Sequence, residues 1–175
     1  MISTIAIVVA VVLVTLFIYA ATRPATFRVQ RTIDIAASPE TVFPHINDFH
    51  QWLAWSPWEK MDPALKRTYR GAPSGKGAVY EWEGNHQVGQ GRMEIIETTS
   101  PSKVVIKLDF FKPFEAHNQA EFTLALHGGS TNVSWVMHGP QPYMAKLMSI
   151  FIDCEKMVGP QFEAGLKNLK ALAEQ

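Results

Sequence analysis

"AEFTLALHGGSTNVSWVMHG", residues 120–139, alternates apolar and polar side chains on both sides of a glycine pair. Ala120, Phe122, Leu124 and Leu126 share one parity before the pair. Thr131, Val133, Trp135 and Met137 share one after it. A period of two puts each set on one face of a strand, and Gly128-Gly129 supplies the turn. The stretch therefore reads as an antiparallel hairpin with one apolar face.

The same pattern extends upstream. "LKRTYR" (65–70) ends at Gly71, "GAVYEWEG" (77–84) runs into the turn "GNHQVG" (84–89), "GQGRMEIIET" (89–98) stops at "SPS" (100–102), and "KVVIKLDFF" (103–111) stops at "KPF" (112–114). Close spacing and short connections predict antiparallel neighbours. Further back, "TFRVQRTIDIA" (26–36) alternates as a half-buried strand. "SPETVFPHI" (38–46) reads as a short helix capped by Ser38, opened by Pro39 and interrupted at Pro44. Downstream, Tyr143 to Glu174 reads as helix, with an apolar stripe of Phe162, Leu166, Leu169 and Ala173. Gly159-Pro160 is expected to kink or break it.

The expected fold is α+β: a curved antiparallel sheet wrapped around one long C-terminal helix, so that both apolar surfaces are buried. A transmembrane helix precedes it. Residues 2–21, "ISTIAIVVAVVLVTLFIYAA", carry no charge, proline or glycine. Twenty helical residues span about 30 Å, the hydrocarbon thickness of a bilayer. The competing reading, a cleaved signal peptide, needs a basic region before the apolar run and small residues at a cleavage site, and Tyr19-Ala20-Ala21 fits poorly. The expected organisation is an anchor at residues 1–22, a linker at 23–26 and one domain at 27–175. Arg23, Arg28 and Arg31 follow the span with no Lys or Arg before it. The chain is expected to be a single-pass membrane protein, and the positive-inside tendency places its soluble domain in the cytoplasm.

Composition excludes several classes. The 16 basic and 16 acidic residues balance, which gives no electrostatic footprint for nucleic acid. Cys154 is the single cysteine, so neither an internal disulfide nor a multi-cysteine metal site is available. The six histidines form neither HExxH nor HxH, and no metal or other cofactor is expected. "GQGRME" has Glu94 where a dinucleotide fingerprint needs its third glycine. "GAPSGKG" (71–77) is one residue short of a P-loop and has Gly77 where Ser or Thr is required. No nucleophile elbow is visible, and no catalytic residue is assigned.

The segments "IDIAASPETVFPHINDFHQWLAWSPWEKMDP" (33–63), "SGKGAVYEWEGN" (74–85), "GQGRMEI" (89–95), the Gly-Gly-Ser-Thr turn before "VSWVMHG" (133–139), and "FEAGLKNLK" (162–170) resemble, in that order, the START-like or SRPBCC superfamily. The likeness is strongest to its polyketide cyclase/dehydrase and lipid-transport branch, and covers about Phe27 to Gln175. It implies a helix-grip fold with a hydrophobic cavity between sheet and C-terminal helix. Superfamily members include lipid carriers, cyclases and chaperone activators, so the resemblance specifies fold more than function.

Strand parity and the helix stripe then nominate the lining: Tyr80, Trp82, Met93, Phe110, Phe122, Leu124, Trp135, Met137, Phe162 and Leu166. Such a wall suits an apolar ligand with one or two polar anchors. Glu81 and Glu83 flank Trp82 and point to the other face, while Glu94 and Glu97, an odd number apart, are expected on opposite faces. His138 is expected on the outer face. His86 and His117 are placed in turns at strand ends, near a cavity mouth. Trp52, Trp55 and Trp58 lie three residues apart in a proline-bounded stretch. Trp52 and Trp55 share one side of a helical turn, and the segment is expected to close one end of the core.

The expected function is membrane-anchored binding of a small hydrophobic ligand, a lipid or an isoprenoid-like compound, without chemistry. The partners are that ligand and the bilayer through residues 2–21. Two alternatives are a cyclase- or dehydratase-type enzyme acting on a hydrophobic substrate and a membrane-tethered protein-interaction module.

Overall fold

The computed structural model describes residues 2–151 and 153–175. Helix α1 (Ile2–Thr22) is followed by β1 (Thr26–Ile35), α2 (Pro39–Asn47), a 3-10 turn (Phe49–Gln51), the single turn α3 (Trp52–Trp55) and a second 3-10 turn (Pro57–Lys60). Six strands come next: β2 (Lys66–Gly71), β3 (Ala78–Glu83), β4 (Gln90–Thr99), β5 (Lys103–Lys112), β6 (Ala116–His127) and β7 (Ser130–Pro140). The chain ends in α4 (Tyr143–Met148) and α5 (Cys154–Ala173).

The seven strands form one antiparallel sheet in the order β1-β7-β6-β5-β4-β3-β2. The opening hairpin stands as read, with Phe122 opposite Trp135 and Leu124 opposite Val133. Leu126 shares that parity but is 65% exposed at the hairpin tip. Since β1 lies beside β7 while β2 forms the other edge, residues 36–65 must cross the sheet. They carry α2, α3 and the tryptophan segment over the face that α5 also covers, and these elements contact one another and α5. The largest fully buried side chains include Trp55, Phe122, Phe162, Ile46 and Leu166, so the core lies between the sheet and this second layer.

Three local expectations are corrected. The break in the C-terminal helix falls between Met148 and Cys154, and α5 continues through Gly159-Pro160. Asp153 caps α5 by accepting from the Glu155 and Lys156 amides. Arg31 then reaches across from β1 and pairs with Glu155 at 2.6 Å and Glu163 at 2.7 Å, residues on either side of the proline. A Cβ at Gly159 would collide with that guanidinium. Glycine is there to let Arg31 lie along the helix, and the paired carboxylates bridge the turn that Pro160 weakens. Pro44 likewise sits inside α2, which continues to Asn47 because Val42, Phe43 and Ile46 are buried by it. Glu94 and Glu97 share the outer face: the ladder slips at Ile96, so that Ile95 opposes Ile106 but Glu97 opposes Val105. A bulge adds one residue and reverses the parity beyond it. Glu97 thereby reaches Lys103 at 3.2 Å.

At its other end, α1 is long and apolar enough to cross a membrane. Only Arg23, Pro24 and Ala25 separate it from β1, since Thr26 already pairs with Pro140.

Removing a ring from this core has a calculable effect. Trp55→Ala is expected to destabilise the chain by about 3–5 kcal/mol, whereas Glu83→Ala on the exposed side should stay within about 0.5 kcal/mol. Urea unfolding of the detergent-solubilised chain measures both, and equal losses would contradict the assignment of faces.

Candidate functional site

All ten nominated residues belong to, or pack against, one continuous apolar cluster on the covered side of the sheet. Eight are buried, and Trp82 on β3 and Phe110 on β5 are half-buried. The cluster has two zones. Under α5, the Trp135 ring lies against Phe162 with centroids 3.9 Å apart and planes 9° apart. Its other neighbour is Phe122, at 4.7 Å. The edges of Trp55 and Trp58 meet Trp135 at 5.5 and 5.8 Å, and Trp52 meets it at 6.2 Å. The tryptophan segment thus closes over the middle of the core as a packed aromatic plug. In the second zone, Tyr69, Tyr80, Trp82 and Phe110 form a ladder with centroid spacings of 5.2, 6.1 and 5.7 Å.

Most polar atoms in this layer have partners. The indole N–H of Trp52 donates to the Ile46 carbonyl at 3.0 Å, that of Trp55 to His45 at 2.9 Å and that of Trp82 to Val88 at 3.0 Å. The indole Nε1 of Trp135 is different: it is buried without a hydrogen-bond partner among the described residues, as is Nδ1 of His45. A buried donor left unpaired costs about 1–3 kcal/mol, so such a group calls for an explanation.

Glu59 is a site residue that pattern reading missed. It is 8% exposed within the tryptophan segment. Its carboxylate accepts from the Tyr80 hydroxyl at 2.6 Å and from Arg67 Nε at 2.5 Å, and Arg67 Nη2 also donates to the Glu59 carbonyl at 3.0 Å. Burial, followed by the bond to Glu59, holds the Tyr80 phenol far above its ordinary range. The available signal was a lone carboxylate in "PWEK", a stretch expected to plug the core. The arrangement is a strut: it pins the tryptophan segment to β2 and β3 through one buried carboxylate.

The histidines lie elsewhere. His86 is in the turn between β3 and β4. His117 is within β6, not in a turn, and opposes Asp109 on the outer face together with outer-facing Arg92 and Lys107. Its Nδ1 is 2.8 Å from the Asp109 carboxylate, which Lys107 also reaches at 2.9 Å, and its Nε2 is 3.3 Å from Glu115. The bond to Asp109 raises the His117 pKa. Burial alone would push Asp109 upward, but the bonds from Lys107 and His117 outweigh it and hold its carboxyl below the usual value. The pair is on the side of the sheet away from the apolar cluster.

Two open concavities lie near the C-terminal end of α1 and the linker after it. One, of about 610 Å³, is lined by Tyr19, Arg23, Ser149, Ile150, Phe151, Asp153, Lys156 and Met157. The other, of about 280 Å³, follows the seam between β1 and the start of α5, past Phe27, Val29 and Cys154.

Two measurements test these polar contacts. Glu59→Ala is expected to cost about 2–4 kcal/mol, because it strands the buried Tyr80 hydroxyl and frees Arg67. A loss under about 0.5 kcal/mol would deny the strut. The His117 contribution is complete below its ordinary pKa of 6.5 and disappears as pH rises through the raised folded value. The Asp109 contribution is complete above 3.8 and disappears as pH falls through the lowered one. Their contact therefore stabilises most fully between these two ordinary values. Proton NMR should place the His117 midpoint above 6.5 in the parent and lower in Asp109→Asn. An unchanged midpoint would exclude the pairing.

The chain was compared with known proteins. A family profile described as polyketide cyclase / dehydrase and lipid transport matches residues 26–174. Among solved structures, a Chromobacterium violaceum protein aligns at 18% identity and a TM-score of 0.60, covering 87% of this chain and 99% of its own. A Mycobacterium smegmatis protein aligns at 18% identity and a TM-score of 0.57, covering 83% and 89%. The ginseng major latex-like protein 151 from Panax ginseng aligns at 10% identity and a TM-score of 0.63, covering 87% and 100%. At these identities the structures establish the shared fold alone. No curated protein matches the sequence. The profile takes in every strand together with α5, and on that basis the chain belongs to the polyketide cyclase/dehydrase and lipid transport family.

Proposed function

We propose that this chain is a membrane-anchored binding protein for a small, largely apolar molecule of lipid or isoprenoid type, which it holds without transforming. In this reading residues 1–22 are the anchor, 23–26 the linker and 27–175 the binding domain. The ligand lies between sheet and α5, against Tyr80, Trp82, Met93, Phe110, Phe122, Leu124, Trp135, Met137, Phe162 and Leu166. The arginines after the span favour a cytoplasmic domain.

The observation that carries this reading is the Trp135 indole N–H, buried among aromatic and aliphatic side chains without a hydrogen-bond partner among the described residues. One donor amid aromatic and methionine walls is the lining that an apolar ligand with a single oxygen requires. That oxygen would satisfy the donor, and the ligand would take up space now filled by the contact of Trp135 with Phe162. The family description, which includes lipid transport, and a helix of spanning length beside the domain point the same way. Glu59 does not favour the enzyme alternative: Arg67 and Tyr80 occupy its carboxylate, and the Tyr80 phenol is far from a value useful at neutral pH.

Native mass spectrometry of the detergent-solubilised full chain tests the proposal. The parent should carry a co-purifying apolar molecule. A folded Trp135→Phe variant, which keeps a ring but loses the donor, should bind it about 3- to 10-fold more weakly, the worth of one hydrogen bond. A parent without ligand would refute binding, and equal affinity in the variant would refute the anchoring role of Trp135.

A further inference from the structure

We infer that the surface formed by α4 and the turn after it, residues 143–151, is a second membrane contact, seated in the interfacial layer of the bilayer beside α1. The inference rests on reading α1 as a membrane span.

The first argument is depth. The Tyr143 hydroxyl donates to the Phe17 carbonyl at 3.0 Å, and the two rings stack at 6.5 Å. Phe17 lies five residues before the end of α1, about 7.5 Å along its axis. Helices that lie in the membrane interface are buried about 5–10 Å. The start of α4 is therefore held alongside the apolar stretch of α1, not beyond it. At the other end of α4, Arg23 donates to the Ser149 carbonyl at 3.4 Å. With three residues between α1 and β1, at most about 10 Å of chain, the domain cannot stand away from the membrane surface.

The second argument is the surface. Met144 is 67% exposed, Phe151 77% and Met157 60%. Single exposed apolar residues are ordinary, but these continue the exposed apolar surface of α1: Phe151 and Met157 line one cleft with Tyr19. Arg23 and Lys156 sit in the same cleft, where they outnumber its one carboxylate, Asp153, and Lys146 lies on α4 between the apolar positions. Apolar and aromatic groups flanked by cations match the acyl–headgroup boundary, where tyrosine rings and basic side chains concentrate. The strand register adds one more observation. Thr26 opposes Pro140 at the sheet end nearest α1, and the β5–β6 turn that carries the 61%-exposed Phe114 closes at that same end.

Site-directed fluorescence on the full chain in vesicles of phosphatidylcholine and phosphatidylglycerol tests this. In a Cys154→Ser background, Met144→Cys and Phe151→Cys are each labelled with an environment-sensitive dye. Lys76→Cys, at the opposite end of the sheet, and Val11→Cys, in mid-α1, are the references. Folding of each variant is checked by circular dichroism. The dyes at 144 and 151 should shift to the blue. Lipids spin-labelled near the headgroup should quench them at least about twofold more than the dye at 76, as interfacial burial requires. The dye at 11 should be quenched best by lipids labelled deep in the chain. Dyes at 144 and 151 that stay as open to aqueous iodide as the one at 76 would overturn the second contact while the signal at 11 upheld the anchor. Protection from iodide without lipid quenching would also overturn it, because a second copy of the chain would then cover the patch. A dye at 11 unquenched by lipid would overturn both the span and the contact that rests on it.

Discussion

The interior is organised around the ring of Trp135. It is held flat between Phe122 and Phe162, so a strand on one side and the C-terminal helix on the other are in register through a single indole. Three further tryptophans meet it edge-on. Edge-to-face and stacked contacts add to what area burial alone provides, and they fix angles that aliphatic packing would leave loose. Much of the second layer meets here: α3 and the turn after it place their rings against Trp135, α5 supplies Phe162, and the crossover of residues 36–65 carries the three tryptophans to it.

Period-two alternation made the hairpin, the faces and the whole apolar cluster legible, because parity is a direct geometric consequence of a strand. What stayed hidden depended on contacts from distant parts of the chain. Gly159-Pro160 reads as a helix break on local chemistry, but Arg31, on the first strand, ties its two sides together. Parity sends Glu97 inward until the bulge at Ile96 turns it back, and nothing in "MEIIET" marks where the extra residue will fall. Glu59 was hidden because a carboxylate reads as surface unless its partners are known, and Arg67 and Tyr80 come from two strands that follow it in the chain. That Trp135 Nε1 has no partner among the described residues could not be read at all: an unpaired donor is defined by its surroundings.

The molecule is polarised along its strands. One end of the sheet carries the linker, α4, the clefts and the exposed methionine and phenylalanine side chains. The face opposite the core carries alternating charges, among them Lys103 with Glu97 and Glu121, and Arg92 with Glu81 and Glu94. A charged outer face disfavours association through that face, and Met144, Phe151 and Met157 lie exposed at the end beside α1. The seam past Phe27, Val29 and Cys154 starts at that end and follows β1 toward the covered layer.

The pairing of β1 with β7 has a consequence for biosynthesis. Among the described residues the first strand pairs with the last alone, with Thr26 opposite Pro140, so it leaves the ribosome long before that partner exists. Closing so long a loop is slow, and an unpaired apolar strand is exposed to association in the meantime. Residues Thr26 to Ile35 therefore stay without their ladder until β7 has been made, and the apolar set Phe27, Val29, Ile33 and Ile35 stays uncovered until α5 follows.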